Sequence, residues 1–209
     1  MRVGILGGAF NPPHTGHLVC AQEALVQLEL DKVVLIPVGQ APHRELHRDP
    51  GAEERLEMVE LATAGDERFE VSRAEIDREG PSYTVDTLRE LREAEPDNEL
   101  FLILGGDQAA ALGSWHEPEE VLALATVAVF ERLSWSRHAI AIKIGQRLEG
   151  VAGMRYLNMP IIQISSSVIR RRAAAGQPIR YLVPDKVAAY IEANGLYGAS
   201  ASISEKARA

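Results

Sequence analysis

Residues 2–17 read RVGILGGAFNPPHTGH. An apolar run of strand character, Arg2 to Leu6, enters a turn rich in glycine and proline that carries two histidines, His14 and His17, with Gly16 between them. Beyond it, from 17 to about 29, Leu18, Ala21, Leu25 and Leu28 recur at spacings of three and four, which predicts a helix burying one face. Strand, glycine-rich turn and helix in that order form the first unit of a βα fold.

The alternation continues along the chain. Strands are predicted at 2–6, 32–36, 69–72, 99–104, 126–130 and 155–157, and helices at roughly 52–64, 84–94, 117–124, 136–148, 166–175 and 184–194. Start and stop residues agree: Pro50 and Gly51 precede AEERLEMVELA, Pro96 closes TLRELREAE, and Gly195 ends the last helix. The expected fold is α/β, a Rossmann-like open parallel sheet flanked by helices, with a small C-terminal helical part. The 209 residues suit one domain, taken as 1–197 with the helical part at 166–197. The tail 198–209, GASASISEKARA, has little to bury and is expected to be disordered. The connection from Pro37 to Pro50 is long for such a fold, a common sign of function.

Charge and cysteine content exclude several classes. Lys and Arg number 22 against 30 Asp and Glu, a formal charge of −8, which argues against nucleic-acid backbones as partners but leaves an anionic small ligand open. No window is apolar enough for a membrane span. One cysteine, Cys20, and no basic-then-apolar leader make the cytoplasm the expected compartment. Oligomeric state is not legible, and a homo-oligomer stays open.

A glycine-rich turn between a strand and a helix is where backbone amides hold phosphate. Here the turn lacks both the G-x-G-x-x-G spacing of a dinucleotide fold and the lysine of a phosphate-binding loop. His14 and His17 supply donors instead, fit to stabilise charge developing on a reacting phosphate. A structural turn with surface histidines, or a zinc site joined by His43 and His47, are the competing readings; the latter lacks adjacent Cys or acidic partners.

GGAFNPPHTGH (7–17) resembles the first signature of the H-x-G-H nucleotidyltransferases, and ISSSVIRRR (164–172) resembles their second. Four further segments, PVGQAPHR (37–44), GPSYTVDTL (80–88), LGGDQAAALGSW (104–115) and PIRYLVPDKVAAYIEANGLY (178–197), narrow the likeness to bacterial nicotinate-nucleotide adenylyltransferases over nearly the whole chain. That resemblance implies adenylyl transfer from ATP to nicotinate mononucleotide, giving deamido-NAD and pyrophosphate by direct attack. Mg²⁺ would assist, held through the ATP phosphates rather than by protein ligands.

By the same resemblance, His14, His17 and Arg170 would be catalytic. Gly7, Gly8, Phe10, Gly105, Asp107, Ser166 and Ser167 would bind ATP. Arg44, Ser82, Tyr83, Thr84 and Trp115 would bind nicotinate mononucleotide, Trp115 by stacking on the pyridine ring. Cys20, inside a helix, is expected to be a buried and inert thiol. Three positions depart from the pattern: Asn11 stands where many relatives have aspartate, Ser167 replaces a frequent threonine, and FERLSWSR (130–137) replaces an arginine–proline–glycine turn, so Arg132 is left out of the site. Rival readings are transfer to nicotinamide mononucleotide or phosphopantetheine, or a nucleotide sensor without turnover.

Overall fold

In the computed structural model, which describes residues 1–42, 45–130, 137–145 and 153–199, six strands form one all-parallel sheet. They are β1 (Arg2–Gly8), β2 (Lys32–Pro37), β3 (Phe69–Val71), β4 (Glu99–Gly105), β5 (Thr126–Phe130) and β6 (Arg155–Leu157), in the spatial order β3-β2-β1-β4-β5-β6. The helices are α1 (Thr15–Gln27), α2 (Ala52–Thr63), α3 (Ala74–Asp77), α4 (Thr84–Ala94), α5 (Gly106–Ala111), α6 (Pro118–Leu124), α7 (Arg137–Gly145), α8 (Ser166–Ala174) and α9 (Asp185–Ala193). The expected Rossmann-like architecture is present.

The central strands read as near-continuous apolar runs because both sheet faces are covered. Along β4, Leu100, Leu102 and Leu104 join one buried cluster with Val85 and Leu88 of α4 and Ile140 and Ile144 of α7. Phe101 and Ile103, pointing the other way, join Ala21 and Ala24 of α1 and Val59 of α2. Gly4 is the small residue this packing needs, since a Cβ there would sit 2.7 Å from Leu30 Cδ1 and 2.9 Å from Ile103 Cδ1. A third cluster joins α8 and α9 to Met58 of α2 through Ile169, Val183, Val187, Ile191 and Tyr197.

Chain order reverses between β1 and β4, and there the sheet opens. Their pairing ends at Ile5 with Leu102, although β1 runs to Gly8 and β4 to Gly105. The two carboxyl ends diverge into the crevice where open α/β sheets bind ligands.

Several expectations are corrected. The first helix begins at Thr15 and ends at Gln27, not 17 to 29, because His14 takes the extended N-cap conformation two residues earlier. Its tightest contacts are Ala21 and Ala24, with Leu18 and Leu25 only half-buried. Cys20 is likewise half-buried rather than enclosed. The short helices α3 and α5 were not anticipated. Arg44, Arg132, His43 and most of the 198–209 tail lie outside the described residues, as do residues 136 and 146–148 of the predicted 136–148 helix.

Candidate active site

The histidine turn folds around Phe10, whose ring is buried at 2% exposure. Phe10 packs under Gly8, where a Cβ would lie 3.3 Å from the ring, and meets the His17 ring edge-on at 5.0 Å. The Asn11–Pro12 peptide is cis. His14 caps α1, and its backbone N–H donates to His17 Nδ1 at 3.1 Å. With Nδ1 accepting, neutral His17 carries its proton on Nε2, which becomes a donor on the far side of the ring. The two imidazoles stack, with centroids 3.7 Å apart and planes 18° from parallel. Gly16 makes room for this, because a Cβ there would lie 3.0 Å from His14 Nδ1.

The second signature docks on the same turn. Ser166 Oγ donates to Pro12 O at 2.8 Å, and Arg170 Nη1 donates to Asn11 O at 2.6 Å. Arg170 Nη2 reaches Ser167 Oγ at 3.3 Å. Ser165, not Ser166, caps α8, accepting from the Val168 amide at 3.3 Å. The Ser166 hydroxyl is therefore committed to the turn. The C-terminal segment completes the clasp: Thr15 donates its backbone N–H to Leu182 O at 3.0 Å, and its hydroxyl lies within 3.3 Å of the carbonyls of Tyr181 and Leu182.

Gly7, Gly8 and Ala9 also line a cavity of about 450 Å³ in the crevice. Ser82, Tyr83, Thr84 and Trp115 share that lining, over a floor that includes Ile5, Ile36, Leu102 and Leu104. Thr84 opens α4, and a first-turn amide has no acceptor within its own helix. The Tyr83 amide donates to Pro81 O at 3.1 Å. Ser82 Oγ accepts from the amides of Gly39 and Gln40 at 3.1 and 3.2 Å, so it fastens the loop after β2 to the start of α4. Gly39 has no alternative at that joint, since a Cβ would lie 1.9 Å from Glu75 O.

The predicted residues thus fall into two adjoining groups. Gly7, Gly8, Ser82, Tyr83, Thr84 and Trp115 share the cavity, whereas Phe10, His14, His17, Ser166, Ser167 and Arg170 gather around the Asn11–Pro12 turn that continues from its wall. Gly105 precedes α5 as its N-cap and Asp107 stands exposed in that helix's first turn, beside Gln108, which lines the cavity.

Three residues escaped the sequence reading. His116 lies against Tyr83 at 4.4 Å and lines the cavity; its adjacency to Trp115 was an available signal. Arg55 is fully buried in α2, donates to the carbonyls of Ala9, Val38 and Gly39 at 3.2, 2.6 and 3.3 Å, and pairs with Asp49 at 2.9 Å. It holds the loops leaving β1 and β2 in one frame. Glu75, in α3, is 7% exposed and lines the cavity. Burial pushes its carboxyl up to about 7, against the lowering influence of the Thr87 hydroxyl, which donates to it at 2.9 Å, and of the Arg78 charge. Nothing in the local sequence marked Arg55 or Glu75. Among the described residues no three His, Cys, Asp or Glu side chains gather in a way that could hold a metal ion, and no helix is long and apolar enough to cross a membrane.

Comparison with known proteins assigns the chain to a family. The cytidylyltransferase-like family model matches residues 5–172. The chain belongs to that family of nucleotidyltransferases. Within it, the chain is 41% identical over 208 residues to a probable nicotinate-nucleotide adenylyltransferase of Geobacillus thermodenitrificans, covering 100% of this chain and 91% of that one. It is 45% identical to another so named, from Frankia casuarinae, over 93% of this chain and 100% of that one. The fold is also that of the nicotinic acid mononucleotide adenylyltransferase of Plasmodium falciparum solved with APC, with a TM-score of 0.75 at 17% identity, covering 96% of this chain and 99% of that one. The chain therefore stands among the nicotinate-nucleotide adenylyltransferases.

Proposed function

We propose that the protein transfers the adenylyl group of ATP to nicotinate mononucleotide, a cytoplasmic step that yields deamido-NAD and pyrophosphate. The observation that carries this reading is the clasp of the histidine turn by Ser166 and Arg170, directly beside a cavity ending in Thr84 and Trp115. It joins a polyphosphate cradle to a pocket of aromatic and amide character. Relatives at 41% and 45% identity carry the name of this activity.

In the reaction, an oxygen of the mononucleotide 5′-phosphate bonds to the α-phosphorus of ATP. The bridging bond to the β-phosphate breaks, and its electrons leave with pyrophosphate. No protein nucleophile takes part, so the task is alignment and charge stabilisation. ATP enters as its Mg²⁺ complex, the cation travelling with the substrate's phosphates. His14, His17 through Nε2, and Arg170 serve the charge on the reacting phosphates, aided by the first-turn amides of α8 at Ser166 and Ser167. Gly7, Gly8 and Phe10 shape the turn, and Gly105 and Asp107 face the adenosine end. In the cavity, Trp115 and Tyr83 offer ring faces to the pyridine, the Thr84 amide donates to its carboxylate, Ser82 holds that wall in place, and Arg44 serves the mononucleotide phosphate.

A substrate panel scored by pyrophosphate release tests the assignment. Turnover with nicotinate mononucleotide well above that with nicotinamide mononucleotide or phosphopantetheine is expected. Preference for either of the latter, or no turnover with any, overturns it.

A further inference from the structure

The cavity has an unusual charge balance. Among the described residues lining it, Glu75 is the one carboxyl, and no Lys or Arg joins it. The same lining includes the apolar residues Ile36, Val38 and Leu88. The nearby cation, Arg78, opposes the rise of the Glu75 carboxyl through its charge, while its Nη1 pairs with Glu90 at 2.7 Å and its Nη2 donates to Thr87 Oγ1 at 2.8 Å. The groups facing Glu75 are thus Thr87 and Glu90 on α4, Arg78 just beyond α3, Ser82 before α4, and Tyr83 and His116 elsewhere on the cavity lining.

Both pyridine mononucleotides bring the same cationic ring nitrogen, so the acid differs from the amide by one ring carboxylate, a second anion in this enclosure. Two carboxylates in one poorly solvated site do not both stay ionised, and the one free to take a proton does so. A ring carboxylate held by an amide donor is fixed in its charged form, which leaves Glu75 to respond. A ligand with a neutral carboxamide makes no such demand.

We propose that Glu75 is a specificity-determining residue of this pocket, taking up a proton when a pyridine carboxylate ligand binds and none when the corresponding carboxamide binds. The inference rests on the reading of the cavity as the mononucleotide site. Its consequence is that preference for acid over amide ligand is strongest at low pH and declines as Glu75 ionises. That Glu75 stands near neutrality in the unliganded protein places this decline in the physiological range.

Calorimetry on the wild-type protein tests this directly. Binding of nicotinate mononucleotide and of nicotinamide mononucleotide is measured at pH 8 in two buffers of unlike ionisation enthalpy. The shared 5′-phosphate cancels between the ligands, so the difference reports the ring end. The acid ligand is expected to take up close to one proton more than the amide. Its Kd relative to the amide's should rise about 20-fold from pH 6.5 to 8.5, and Glu75→Gln should flatten that dependence. Equal proton uptake by the two ligands overturns the proposal, as does an undiminished pH dependence in Glu75→Gln. Should that variant fail to fold, the wild-type proton count decides alone. Absence of binding by either mononucleotide overturns the site reading, and this inference with it.

Discussion

Arg170 on α8 donates to the backbone carbonyl of Asn11 at 2.6 Å, joining residues 159 apart in the chain at a single turn. The guanidinium therefore holds the histidine turn with one nitrogen while the other reaches Ser167 and the first turn of α8. Substitution by lysine keeps the charge but loses the planar fork. Steady-state kinetics should show Arg170→Lys lowering kcat by about 10²-fold. Ser166→Ala, which removes only the bond to Pro12, should cost about threefold to tenfold, the size of one neutral hydrogen bond. Equal effects from the two substitutions would contradict the division of labour between them.

His17 has two duties that substitution can separate. Its Nδ1 accepts from the His14 amide and so completes the N-cap of α1, whereas its Nε2 lies on the opposite side of the ring. His17→Ala loses both, and thermal unfolding should register about 1 kcal/mol of lost stability. His17→Asn keeps a side-chain acceptor at the cap and should recover most of that stability. Both variants should lose about 10²- to 10³-fold in kcat while ATP binding changes little. Wild-type turnover in His17→Asn would show that capping alone is what His17 provides.

Glu75 gives a stability that depends on pH, and the sign follows from the direction of its shift. Its carboxyl is raised to about 7 in the folded protein from an ordinary 4.5, so between those values the folded state holds more protons than the unfolded. Stability then falls as pH rises through this interval, and the loss is complete above about 7. Glu75→Gln, which retains an acceptor for Thr87, should be more stable than the wild type at pH 8 by about 1–3 kcal/mol and no more stable at pH 4. Denaturant unfolding at the two pH values reads this out, and an equal effect at both would exclude a role for ionisation.

The sequence carried the fold well where periodicity and punctuation coincide. Strands such as Thr126–Phe130 and Arg155–Leu157, and the helix from Thr84 to Ala94, were legible to the residue. The single-turn α3 and the six-residue α5 were not, because neither is long enough to show a period. The start of α1 was missed by two residues because histidine is not among the usual capping residues, and only the reciprocal bonding of His14 and His17 makes it one here. At the site, glycine turns and paired motifs marked the residues whose chemistry is local. Arg55 and Glu75 act through partners distant in sequence, and a charged residue in a helix reads as solvent-facing until the fold closes around it.

The central claim is direct adenylyl transfer, and the fate of a label on the α-phosphate of ATP tests it most closely. With nicotinate mononucleotide present, the α-label should appear in deamido-NAD at one equivalent per pyrophosphate released, with none attached to the protein after rapid quenching. Label retained covalently on the protein, or no label transferred to the mononucleotide, would contradict the account.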